Sequence, residues 1–189
     1  MVYELFIPKV RGPAQPMTHD FKSPVKVAIV EAFSRLVLSR RATKPPVADI
    51  LDEAGVARST FYEHFNGRDM VLLEAMEAPL SLLADAAVHG VEGARLAALL
   101  EHFRENRRGA VDILAGPLGA RVRRRLGELI AARLPVTEKE VAIDLANQVL
   151  AQIRLWLERE TRHSAERLAA LVIAGAAAFR VAFAARESL

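Results

Sequence analysis

The chain has 189 residues, 52% of them hydrophobic but only 6% aromatic. That is ample for a core, and the dominance of Ala and Leu favours helices. Its net charge of +3 is too small to point to a polyanionic partner by itself, and the absence of cysteine excludes disulfides, cysteine zinc sites and thiol redox chemistry. The most apolar stretch, Leu168 to Ala185, is interrupted by Arg180, and the apolar Val2 to Ile7 has no basic segment ahead of it. A cytoplasmic chain with no membrane partner is therefore expected.

Residues 1–22 read as an arm, because Pro8, Pro13 and Pro16 interrupt any regular element. Ser23-Pro24 opens the first helix, with a hydroxyl at the cap and Pro at the first helical position. Val25, Ile29, Ala32, Phe33, Leu36 and Val37 then recur at helical spacing. Arg40 and Arg41 suit the C-terminal end of that helix. Pro45-Pro46 leads into a second helix with Val47, Ile50, Leu51 and Ala54 inward. Gly55, in Ala54-Gly55-Val56, marks a sharp turn through the left-handed region.

The next helix carries Phe61 and Phe65, four apart and so on one face. Arg58, Ser59, Thr60, Tyr62 and His64 form its other side. A short helix with an aromatic back and a polar, cationic front suits a DNA major groove. Asn66 is expected to cap a fourth helix running to about Val88, with Pro79 as a kink. A fifth helix is expected from Glu92 to Arg107 and broken at Gly109, and a short sixth from Ala110 to Ala115. The seventh, from Leu118 to Arg133, is basic at Arg121, Arg123, Arg124, Arg125 and Arg133, a pattern typical of a solvated face. Thr137 with Glu140 forms a capping box for the eighth, and Ser164 caps the ninth. The expected fold class is all-α, with roughly nine helices and no strand.

From Val47 to Met76 the residues resemble the DNA-binding domain of the tetracycline-repressor (TetR) family of bacterial regulators. The resemblance rests on Ile50, Ala54-Gly55-Val56, Ser59-Thr60, Tyr62-Glu63-His64-Phe65, Asn66-Gly67 and Arg68, in order and without a gap. After the flexible N-terminal arm at 1–22, it implies a helix-turn-helix domain at 23–66. It also implies a regulatory and dimerisation domain at 67–189, with helix four as connector. The implied function is a ligand-responsive transcriptional regulator: a homodimeric repressor, joined through its last two helices, that a small molecule releases from a double-stranded DNA operator. The implied DNA contacts are Lys44, Arg58, Ser59, Thr60, Tyr62, His64 and Arg68, with Tyr62 and Arg68 on phosphate. Three positions depart from the family pattern. Pro46 stands where Thr often meets a phosphate, a role left to Thr43 or Lys44. Ala57 stands where Ser often caps the reading helix, and Arg40-Arg41-Ala42 replaces a usual Gly.

For an effector, His102 and Trp156, with Leu99, Phe103, Leu114 and Gln152, are the best candidates for a pocket, although simple core packing is the favoured reading of each residue taken singly. The five histidines show no paired metal spacing. No nucleophile with a base and no Gly-rich phosphate loop is present, so no catalytic site, metal or cofactor is expected. The alternative is a dimeric helical binding or adaptor protein of the same fold that lacks specific operator binding.

Overall fold

A computed structural model describes residues 23–40, 45–135 and 140–186 of the chain. The expected arm at 1–22, Thr43, Lys44 and the Thr137 capping position lie outside the described residues. Among the described residues there are ten helices and no strand, so the chain is all-α. In order they are α1 (Pro24–Arg40), α2 (Val47–Ala54), α3 (Arg58–His64), α4 (Arg68–Ala75) and α5 (Glu77–Val88). They continue with α6 (Gly93–Glu105), α7 (Arg107–Ala115), α8 (Gly119–Ala131), α9 (Ala142–Leu157) and α10 (Ala165–Arg186). The helices form two compact units, Met1–Glu77 and Ala78–Leu189.

In the first unit α1 packs on α2 and on α4. Ile29, Ala32, Phe33 and Leu36 bury one face of α1 at helical spacing, and Ile50, Phe61, Phe65 and Val71 complete the core. Two ion pairs hold the edges: Arg35 Nε to Glu53 Oε1 at 2.7 Å, and Lys26 Nζ to Glu74 Oε2 at 3.0 Å. Lys26 also lies 5.7 Å from the centroid of the Phe65 ring. This unit extends past Asn66 to Glu77 because α4 folds back on α1.

The expected fourth helix is two helices. Its break falls at Met76, ahead of Pro79. A proline ring excludes the carbonyl four residues earlier and offers it no N–H. That carbonyl belongs to Ala75, where α4 ends. The chain restarts at Glu77 with Pro79 in the first turn of α5, where a missing N–H costs nothing. Gly67, at φ 137°, is the N-cap of α4 in place of Asn66, which is exposed. Gly109 lies inside α7; the break comes at Asn106, whose amide donates to the His102 carbonyl at 3.0 Å and closes the end of α6.

In the second unit α10 packs on α6 and α9, and α9 also packs on α7 and α8. Arginines close helix ends across this unit. Arg107 donates to the carbonyl of Leu157, the last residue of α9, and Arg180 to that of Val88, the last of α5. A guanidinium at a C-terminus satisfies orphan carbonyls and opposes the negative end of the dipole. Ser164 caps α10 as expected, its Oγ accepting from the Arg167 N–H at 3.2 Å. Among the described residues one helix, α10 over Ala165–Ala185, is long and apolar enough by length and composition to cross a membrane, a property that the core helix of a soluble protein shares. Arg180 lies within that stretch and bonds the Val88 carbonyl.

Candidate nucleic-acid interface

Helix α2, a three-residue turn and α3 form a helix-turn-helix. Gly55 makes the turn at φ 65° and ψ 33°. Its N–H donates to the Asp52 carbonyl at 3.4 Å, and the Val56 N–H to that of Leu51 at 3.2 Å, closing the end of α2. Ala57 has extended backbone, φ −69° and ψ 153°, and makes no side-chain cap bond. It holds the N-cap conformation without the oxygen that would use it. Pro46, at the N-cap of α2, likewise makes none.

Phe61 is fully buried and anchors α3. Its ring lies 5.9 Å from that of Phe65, and Tyr62 stands edge-on to it at 5.3 Å and 85°. This fixes which side of α3 faces out. Arg58, Ser59 and Tyr62 are exposed, Tyr62 to 47%, while Thr60 and His64 are half-buried at the flanks. Arg68 is exposed at the start of α4, with Asp69 4.0 Å from its Nε. Five candidates thus share α3, and Arg68 begins the next helix. Glu63 is an addition to the residues expected from the sequence. It is exposed and stands four residues after Ser59 on the same face. Neither its type nor its neighbours single it out, and only the alternation of exposure along α3 marks it. It places a carboxylate on a face that otherwise offers donors.

The effector candidates fall in the second unit, on α6, α7 and α9. Leu99 is fully buried, and His102, Phe103, Leu114 and Gln152 are half-buried. Burial lowers the His102 pKa below its ordinary value, partly offset by Glu105. Trp156 Nε1–H donates to the His163 carbonyl at 2.7 Å, so its polar edge braces the turn into α10. Gln152 and Gln148 lean on α10 at Gly175, where a Cβ would lie 3.3 Å and 2.9 Å from their amide nitrogens. The buried amide oxygens of both lack a hydrogen-bond partner. Of the expected basic run, Arg121, Arg123 and Arg124 are exposed, and Arg125 pairs with Glu128 at 3.0 Å. No group of three or more metal-ligating side chains occurs among the described residues.

The fold and site together define an all-α chain that carries a helix-turn-helix in its first unit. No protein family description and no curated protein matches it. Among solved structures it is similar to a TetR transcriptional regulator from Streptococcus agalactiae 2603V. The identity is 23%, the match covers 80% of this chain and 93% of that one, and the TM-score is 0.48.

Proposed function

We infer that the chain is a DNA-binding transcriptional regulator that works as a homodimer and reads its operator with α3. One observation carries this reading: a seven-residue helix presents Arg58, Ser59 and Tyr62 to solvent, while Phe61 and the Gly55 turn hold its back rigid. Residues at the start of a reading helix meet base edges. In this reading the planar fork of Arg58 takes a guanine in bidentate fashion, and Tyr62, His64 and Arg68 supply phosphate contacts that set the register. Lys44 joins them by its place just before α2. Glu63 repels phosphate and so favours a position over the bases, where a carboxylate accepts from a cytosine amino group.

Dimerisation falls to α9 and α10. Val181 is 72% exposed and Leu155 37%, and α10 adds Ala174, Ala177 and Ala178 on its open side. Small side chains let a second helix approach closely, and an apolar face of this length gains by being covered. The two reading helices of a dimer then meet successive turns of the groove, about 34 Å apart. Repression with release by a small molecule bound among α6, α7 and α9 is the simplest regulatory scheme. It requires that the molecule bind the DNA-free form better, since equal affinity shifts nothing.

Selection of binding sites from random DNA, followed by a salt-titrated gel shift on the selected sequence, tests the reading. A near-palindromic site with a steep salt dependence is the expected result. No enrichment by a folded dimer would sink it. The adaptor alternative draws on the missing side-chain caps at Pro46 and Ala57, and sequence-independent or absent binding would favour it.

A further inference from the structure

Helix α5 is buried around most of its circumference: Leu80, Leu82, Leu83, Ala84, Ala86 and Ala87 are each at most 4% exposed. Its polar residues Ser81 and Asp85 stand four apart and so share one face. Arg133, just beyond the end of α8, occupies that face. Its Nε donates to Asp85 Oδ1 at 2.6 Å, its Nη2 to Ser81 Oγ at 2.6 Å, and its Nη1 to the Leu129 carbonyl at 2.8 Å. At the far end Arg180 Nη1 donates to the Val88 carbonyl at 2.6 Å. Apolar packing is non-directional. A helix in an apolar sleeve that slips by one turn, about 5.4 Å, exchanges one set of methyl contacts for another. A planar guanidinium that bonds two groups one turn apart admits only one position, because its donors are rigidly spaced.

We propose that Arg133 is an axial lock on α5, a positioning residue whose fork over Ser81 and Asp85 fixes where that helix sits along its own axis in the second unit. Arg180 closes the same helix at its C-terminus, so α5 is held at two points by side chains from two other segments. The chain enters the second unit through α5, directly after Met76. A molecule bound in that unit that draws Arg133 away frees the segment leading to the reading helix. This last consequence rests on the regulator reading above; the lock itself does not.

Hydrogen exchange followed by mass spectrometry on the full chain tests it. Arg133→Met removes all three bonds. The double variant Ser81→Ala with Asp85→Ala removes the two to α5 and leaves Arg133 on the Leu129 carbonyl. Both are expected to speed exchange of the amides of residues 80–88 about tenfold, with those of α9 unchanged. Arg133→Lys, which keeps the charge and loses the fork, should fall between wild type and Arg133→Met. If Arg133→Met loosens α5 and the double variant does not, Arg133 merely caps α8 and the proposal falls. It falls equally if Arg133→Lys matches wild type. A second arm measures affinity for the selected operator, where the double variant should shift the dissociation constant about tenfold. Faster exchange with unchanged affinity keeps the lock and severs its link to DNA. Failure of the wild-type chain to select any DNA removes the regulator reading and leaves the exchange result standing.

Discussion

Helices α3 and α10 each bury one side and leave the other open, and the open sides differ in kind. The seven residues of α3 turn Phe61 inward and present Arg58, Ser59, Tyr62 and Glu63 outward. The 22 residues of α10 turn Leu168, Ala169, Val172 and Ala176 inward and present Ala174, Ala177, Ala178 and Val181 outward. A polar open face is already satisfied by water. It gains from a partner only where that partner's donors, acceptors and charges match its own, so it suits recognition. An apolar open face remains unfavourable in water at about 25 cal/mol per Å² until something covers it, so it suits association. The two faces lie in different compact units, and each should fail without the other.

The largest expected effect tests that independence. Phe61→Ala should cost about 3–5 kcal/mol in the first unit, because the ring is fully buried. Chemical denaturation should then show an early transition, DNA binding should vanish, and sedimentation should still show a dimer. Loss of the dimer as well would break the comparison. Next, Val181→Glu should place an uncompensated carboxylate in the covered face. It should weaken the dimer by roughly 3 kcal/mol, more than a hundredfold in dissociation constant, while the circular dichroism stays helical. A dimer that persists would move the interface elsewhere.

Smaller changes sharpen the recognition side. Arg58→Ala should relax a single base position by about 1–3 kcal/mol in a repeated site selection. Tyr62→Ala, by contrast, should weaken all sequences alike; a base-specific loss there would reassign it to reading. Ala57→Ser supplies the oxygen that the existing N-cap backbone lacks. It should stabilise the first unit by about 1 kcal/mol, read as a rise in melting temperature without a change in site preference.

The smallest effect is a pH dependence in the second unit. Burial holds the folded His102 pKa below its ordinary value. The unfolded chain, near about 6.5, therefore takes up the proton first as pH falls. Stability from this residue is present above about 6.5 and is lost as pH drops through the lowered folded value. His102→Gln should flatten that slope in denaturation curves compared at about pH 5 and about pH 8.

Local signals are legible in the amino-acid order itself. Gly55 marks a left-handed turn, the four-residue spacing of Phe61 and Phe65 marks a buried back, and Ser164 marks a helix start. Each depends on only a few neighbouring residues. Proline is half legible: Pro79 announces a disruption, yet the chain breaks upstream of it, where the ring displaces the carbonyl of Ala75. The cap of α4 falls one residue later than expected, because Asn66 and Gly67 both suit such a position and only backbone geometry chooses between them.

By itself the sequence determined that this chain is helical, where most helices begin and end, and that α3 has an aromatic back and a polar front. Helical periodicity and capping act over a turn or two, so they can be read from adjacent residues. Only the tertiary structure decided what the arginines do. Arg133 belongs by its neighbours to a solvated basic run and instead grips Ser81 and Asp85, 52 and 48 residues away. Arg180 stands as an interruption in an apolar helix and instead closes α5 from 92 residues away. A guanidinium finds its partner through space, and neither its own neighbours nor its partner's carry a sign of that meeting.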